Sequence, residues 1–164
     1  MSFTNDKDAD NYATDKKGWE MIKEYIPTDK QIWSPFYCDG KQKEYFKEMG
    51  FDIIHEDKDF FSYTPDYEVC IDNAPFSKLK DICIRLKELD KPFILILPAS
   101  TITTQYIRQL FKNDNLQIII PRRRIHFDKK VDGKTPENWK NACNFDCFYY
   151  CYKMYLNKDI IFLD

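Results

Sequence analysis

Apolar positions along this chain alternate between a helical period and short unbroken runs, and that alternation predicts its elements. Trp19, Ile22 and Ile26 share one face of a helix predicted over Lys16 to Tyr25, capped by Thr14 or Asp15 and stopped by Pro27. Gln31-Ile32-Trp33-Ser34-Pro35 reads as a short strand, Gly40 as the bend after it, and Lys41 to Met49 as a helix. A second strand opens at Gly50 and ends in the acids Glu56 and Asp57. Val69-Cys70-Ile71-Asp72-Asn73 forms a third, followed by a helix over Lys78 to Leu89 with Leu79, Ile82, Cys83, Leu86 and Leu89 at helical spacing. Pro92 to Pro98 is apolar without interruption, the pattern of a parallel strand buried on both faces. A helix over Thr103 to Phe111 and a strand over Leu116 to Ile120 come next, then a closing antiparallel pair, Cys147 to Tyr152 and Asp159 to Leu163. Strands and helices in alternation predict an α/β fold: a mostly parallel sheet with an antiparallel edge and helices on both faces. Residues 1–14 are polar and are expected to form a flexible leading segment before a single domain over 15–164.

Composition narrows this picture in three ways. A chain of 164 residues is long enough for one real core. Its formal net charge of -2 excludes whole-protein attraction to nucleic acid, though not a local basic patch. No secretory leader is expected from the polar, mixed-charge start, and the longest apolar run, Pro92 to Ala99, is too short to span a membrane; the expected location is cytoplasmic. Six cysteines raise the question of a metal, since Cys143, Cys147 and Cys151 are spaced by four. There is no Cys-x-x-Cys pair, and the two histidines, His55 and His126, lie elsewhere in the sequence. The aromatic surroundings favour a strand, so the reading is reduced, buried thiols and no metal.

Candidate chemistry concentrates where the third strand ends. Pro75 fixes its own φ and biases Ala74 away from helical geometry, which makes the turn stiff. That turn presents the Asn73 amide, the Ala74 carbonyl and the Phe76 ring together. An amide oxygen and a carbonyl both accept from an exocyclic amine, and a phenyl ring stacks on a base. The same letters also suit an ordinary strand-turn-helix with Pro at the helix start. A carboxylate after the second strand, Glu56 or Asp57, suits a ribose diol. Arg122, Arg123, Arg124, Lys129, Lys130 and Lys134 form the one basic cluster of note, a candidate phosphate-contacting loop or a solvated hairpin.

Asn73-Ala74-Pro75-Phe76 resembles the Asn/Asp-Pro-Pro-aromatic motif of the S-adenosylmethionine-dependent N6-adenine methyltransferases, with Ala74 where that family usually carries proline. Further segments resemble the family in the expected order. Tyr12-Ala13-Thr14 is similar to its Tyr-x-Thr segment, and Pro35-Phe36 before Gly40 to its first motif, with Ser34 at the acidic position. Asp59-Phe60-Phe61 is similar to its Asp-Phe-Phe, and Pro121 to Phe127 to its Pro-x-x-Arg-Ile-x-Phe, with Arg124 on the family arginine.

The resemblance implies a Rossmann-like methyltransferase fold, S-adenosylmethionine as cofactor, and methyl transfer to the adenine N6 amine in nucleic acid, DNA ahead of RNA. Asn73, Ala74, Pro75 and Phe76 would form the catalytic centre. Tyr12, Thr14, Pro35, Phe36, Tyr37, Asp39 and Gly40 would line the cofactor pocket, with Glu56 or Asp57 on the ribose and Asp59 and Phe60 on the adenine. Arg122, Arg123, Arg124, Lys129 and Lys130 would bind the substrate. The chain has no room for a target-reading domain, so a protein partner or a homodimer is expected to supply one. Ser34 and Ala74 leave two other readings open: a catalytically degenerate, partner-binding subunit of the same fold, and a small nucleotide-binding module without methyl chemistry.

Overall fold

The computed structural model describes residues 12–129 and 145–164. Thirteen elements are used below. The strands are β1 (Tyr12–Thr14), β2 (Ile32–Trp33), β3 (Ile53–Ile54), β4 (Val69–Asn73), β5 (Phe93–Pro98), β6 (Gln117–Ile120), β7 (Phe127–Lys129), β8 (Cys147–Tyr152) and β9 (Ile160–Phe162), and the helices are α1 (Lys16–Glu20), α2 (Lys41–Glu48), α3 (Leu79–Leu89) and α4 (Gln105–Phe111). Tyr12–Thr14, expected in a loose leader, pairs antiparallel with β7 in a small separate ribbon. Asp15 caps α1 by accepting from Lys17 N at 3.1 Å. That helix is shorter than its pattern predicts: Ile22 leaves helical geometry, and a 3-10 turn over Lys23–Tyr25 completes the segment. Thr104 caps α4, its hydroxyl accepting from Ile107 N at 3.4 Å.

The main sheet has seven strands in the order β3-β2-β4-β5-β8-β6-β9. The pairs β3 with β2, β2 with β4, β4 with β5, and β6 with β9 are parallel, while β8 runs antiparallel to both β5 and β6. This corrects the expected antiparallel edge. The reversed strand lies inside the sheet, β8 and β9 do not pair with each other, and the outermost strand is parallel to its neighbour. The physical reason is burial. Tyr149, Tyr150, Cys151 and Tyr152 are all covered, which an edge strand with one open side does not achieve.

Side chains alternate across the sheet, and helices cover both faces. Ile71, Ile94, Cys151 and Ile161 pack with Trp19, Ile22 and Phe46 from the α1 and α2 side. Cys70, Leu95, Tyr150 and Tyr152 pack with Ile82, Leu86, Ile107 and Phe111 from α3 and α4. Each fully buried isoleucine or phenylalanine contributes about 1.5–3 kcal/mol over its exposed state. The chain leaves β2 through α2 on one face to reach β3, then returns to the other side of β2 and leaves β4 through α3 on the opposite face. Connections diverging to opposite faces open a crevice at the carboxyl ends of β2 and β4, where open α/β sheets bind ligands. Among the described residues, no helix is long and apolar enough to cross a membrane.

Candidate functional site

A cavity of about 440 Å³ lies at that crevice. The loop after β2 supplies Pro35, Phe36, Tyr37, Cys38 and Asp39 to its wall, and the loop after β3 supplies Asp57, Lys58, Asp59, Phe60 and Phe61. Asp72 and Asn73 of β4 form the base, followed by Ala74, Pro75, Phe76 and Lys78. Thr14 comes in from β1.

Asp72 ties these pieces together. Its Oδ2 accepts from Phe36 N at 2.6 Å, and its Oδ1 accepts from Asn73 N at 2.7 Å and from Gln42 Nε2 at 3.0 Å. One carboxylate thus joins the loop after β2, the first turn of α2 and the turn after β4. Only 1% of the residue is exposed. Burial pushes its carboxyl pKa up, against the pull of neighbouring His55 and of the three donors.

Ser34, the residue before Pro35, faces inward and does not line the cavity. Its N donates to Ile54 O at 2.9 Å, its carbonyl lies 2.7 Å from His55 Nδ1, and its hydroxyl meets Gln42 Nε2. The Tyr37 ring stacks on His55 at 5.0 Å. Gly40 does not line the cavity but determines where Tyr37 sits. Its φ of 77° needs glycine, and a Cβ there would fall 2.5 Å from Tyr37 Oη.

Aromatic side chains form one wall. Phe60 tilts against Phe36 at 5.1 Å and stacks on Trp33 at 5.5 Å. Phe76, on the other side, is held edge-on by Phe145 at 4.9 Å and by Phe127 at 6.3 Å. The acids divide clearly. Asp57 is exposed into the cavity, whereas Glu56 lies outside the lining, accepts from Tyr63 Oη at 2.9 Å and pairs with Lys58 at 3.1 Å. The Lys58 and Tyr63 bonds hold Glu56 below the usual carboxylate range. Asp59 accepts from Phe61 N at 3.2 Å and Ser62 Oγ at 3.0 Å, and Asp39 accepts from Lys41 N at 3.1 Å. Thr14 is 4% exposed, and its hydroxyl has no hydrogen-bond partner among the described residues. A buried, unsatisfied hydroxyl on a cavity wall is where a ligand polar group belongs.

The predicted residues therefore fall into two groups. Asn73, Ala74, Pro75, Phe76, Thr14, Pro35, Phe36, Tyr37, Asp39, Asp57, Asp59 and Phe60 meet around one space, and Gly40 and Glu56 stand behind it. Tyr12 is paired through its backbone with Lys129 across β1 and β7. Arg122, Arg123 and Arg124 follow β6, at the same end of the sheet as the cavity but outside its lining. They are exposed, and Arg124 pairs with Asp146 at 2.9 Å. Lys130, Lys134 and Cys143 lie outside the described residues. Pattern reading missed Gln42, Lys58, Asp72 and Lys78. Asp72 had a signal, an acid inside an apolar strand; Gln42 had none, because its role depends on two distant partners. Cys70, Cys83, Cys147 and Cys151 are buried, and Cys38 is exposed.

Together these features define an α/β protein with a mixed aromatic and acidic cavity at the switch point of its sheet. No protein-family model, curated protein or solved structure matches the chain.

Proposed function

We propose that the chain is an S-adenosylmethionine-dependent methyltransferase of Rossmann-like fold acting on the N6 amine of adenine in nucleic acid. The observation that carries this reading is convergence. Segments far apart in sequence, each similar to a different motif of that family, line one cavity at the switch point. Its volume lies within the roughly 300–1,000 Å³ of sites that take drug-sized ligands.

The residues present suit the cofactor. Asp57 would accept from the ribose hydroxyls, Phe60 and Phe36 would cover the purine, and Asp59 would meet its amine. Asp39 would stand opposite the methionine ammonium, the position at which Ser34 offers no acid. The unsatisfied Thr14 hydroxyl would gain a polar partner. When bound, S-adenosylmethionine supplies an electrophilic methyl group.

The chain's own residues handle the acceptor. The Asn73 side-chain oxygen and the Ala74 carbonyl would accept from the target amine, reducing its conjugation with the ring and aiming its lone pair. Phe76 would stack on the extruded or unpaired base. Positioning of this kind is worth up to about 7–11 kcal/mol of barrier when the geometry is right. Arg122 and Arg123 would contact phosphates beyond the cavity mouth, with DNA ahead of RNA as substrate.

The test is transfer of labelled methyl from S-adenosylmethionine to adenine-containing oligonucleotides. Transfer by the wild type, lost in Asn73→Ala with cofactor binding kept, supports the enzyme. One observation favours a second reading. Ser34 is committed to internal bonds, so a folded chain that fails to bind S-adenosylmethionine would be a degenerate, partner-binding subunit, whereas binding without transfer would point to a missing partner or substrate.

A further inference from the structure

The cavity is rich in acceptors, and many of the donors around it are already engaged, which limits what can occupy it. A bound phosphate needs backbone N–H groups or a helix N-terminus turned toward it. Here such groups meet the protein's own oxygens. Phe36 N and Asn73 N both donate to the Asp72 carboxylate, at 2.6 and 2.7 Å. Gly40 N donates to Tyr37 O at 2.8 Å, and Lys41 N, at the start of α2, donates to Asp39 Oδ1 at 3.1 Å. On the loop after β3, Phe61 N donates to Asp59 Oδ1 at 3.2 Å. Pro35 and Pro75, on the loops after β2 and β4, carry no N–H at all. The charges lean the same way. Among the described residues, Asp39, Asp57, Asp59 and Asp72 line the cavity against the cations Lys58 and Lys78, and Lys58 pairs with Glu56 at 3.1 Å. The unsatisfied Thr14 hydroxyl on the same wall is an independent mark of a ligand in this space.

Resting on the methyltransferase reading for the identity of the ligand, we propose that this cavity selects by positive charge. It holds S-adenosylmethionine more tightly than S-adenosylhomocysteine, and it excludes adenine nucleotides. The two cofactor forms share their adenosine, ammonium and carboxylate groups and differ only in the methyl group and its sulfonium charge. Methyl transfer removes that charge: the S–C bonding pair stays on sulfur, the amine nitrogen forms the new bond, and its surplus proton leaves. The thioether product is then net neutral in a net acidic site, so the carboxylates that attract the cofactor do not retain the product. A triphosphate would bring several negative charges against the same carboxylates, where nearby N–H groups already have acceptors. The phosphates of a nucleic-acid substrate meet no such conflict, because the exposed Arg122 and Arg123 stand outside the lining. Selection of this kind also separates the methyltransferase from the phosphate-binding nucleotide module that the sequence leaves open.

Calorimetric titration of S-adenosylmethionine, S-adenosylhomocysteine and metal-free adenosine triphosphate into the full chain tests this. At about 0.1 M salt the sulfonium form is expected to bind about fivefold or more tightly than the thioether, with no heat from the triphosphate. The preference is expected to shrink as salt rises toward about 1 M, which a purely steric fit of the methyl group would not do. Asp39→Asn combined with Asp57→Asn keeps an acceptor oxygen at each position and is expected to bring the two cofactor forms to within about twofold. Contacts shared by the two ligands cancel in that ratio, so a weakened ribose contact does not imitate the result. Should the double variant fail to fold, the wild-type ratio and its salt dependence decide alone. Equal or tighter binding of the thioether, a ratio that either salt or the two substitutions leave unchanged, or a triphosphate bound as tightly as the cofactor would each overturn the proposal, while a bound cofactor keeps the methyltransferase reading. A folded chain that binds neither cofactor form overturns both.

Discussion

Asp72 does at the scale of one residue what the cavity needs at its base. Its carboxylate takes two backbone N–H groups and the Gln42 amide, so three segments hold their positions through one side chain. Asp72→Ala would leave those donors buried without an acceptor, each costing about 1–3 kcal/mol. The expected loss of stability in denaturant unfolding is about 2–5 kcal/mol. A loss within about 0.5 kcal/mol, the range of surface substitutions, would contradict the anchoring role. This residue was visible in the sequence only as an anomaly, a charge at the fourth position of an otherwise apolar strand. Its partners were not visible, because Phe36 lies 36 positions away and is reached through the backbone.

Loops, at the scale of elements, build the cavity wall, and one glycine sets the shape of the first of them. Gly40 holds a left-handed φ of 77° directly before α2, and the space a Cβ would occupy is filled by the Tyr37 ring. Gly40→Ala is expected to cost about 1–2 kcal/mol through its backbone. It should also displace Tyr37 and weaken any ligand in the cavity. Gly50→Ala is the control: its φ of 95° carries similar strain, but a Cβ there meets nothing within 4 Å. Equal stability losses with ligand binding reduced only by Gly40→Ala would separate site geometry from strain, and equal binding would refute the role given to Tyr37. Individual strands and helices could be read from periodicity because β4, β5 and α3 each bury a regular pattern of their own residues. The place of β8 could not be read in this way. Its aromatic run identifies a strand, but nothing local says that it inserts between β5 and β6 rather than beside β9.

The whole molecule is a sheet covered on both faces, and its interior holds groups that resist ionisation. Burial pushes the Cys83 and Cys151 thiols up to about 12 from their ordinary value of 9.0. It also raises the phenols of Tyr67, Tyr149 and Tyr150. A pKa raised in the folded state gives stability that is complete below the unfolded value and lost as pH rises through the folded one. For the thiols that window runs from 9.0 to about 12. Each is expected to remove on the order of 1 kcal/mol per pH unit across it. Urea midpoints measured at about pH 8 and about pH 10.5 should therefore fall steeply, and Cys83→Ala should flatten the fall by one thiol's share. A flat profile would mean that these groups reach water.

The candidate site spans the same whole. Every strand end that lines it comes from a different part of the sequence, and its reading as a methyltransferase centre stands on that convergence. Calorimetric titration of S-adenosylmethionine into the full chain is the most direct measurement. The expected result is one site with a micromolar dissociation constant, weakened in Gly40→Ala and in Thr14→Val, which removes the buried hydroxyl at constant shape. No heat of binding into the millimolar range, from a folded chain, would contradict the assignment of this cavity to the cofactor.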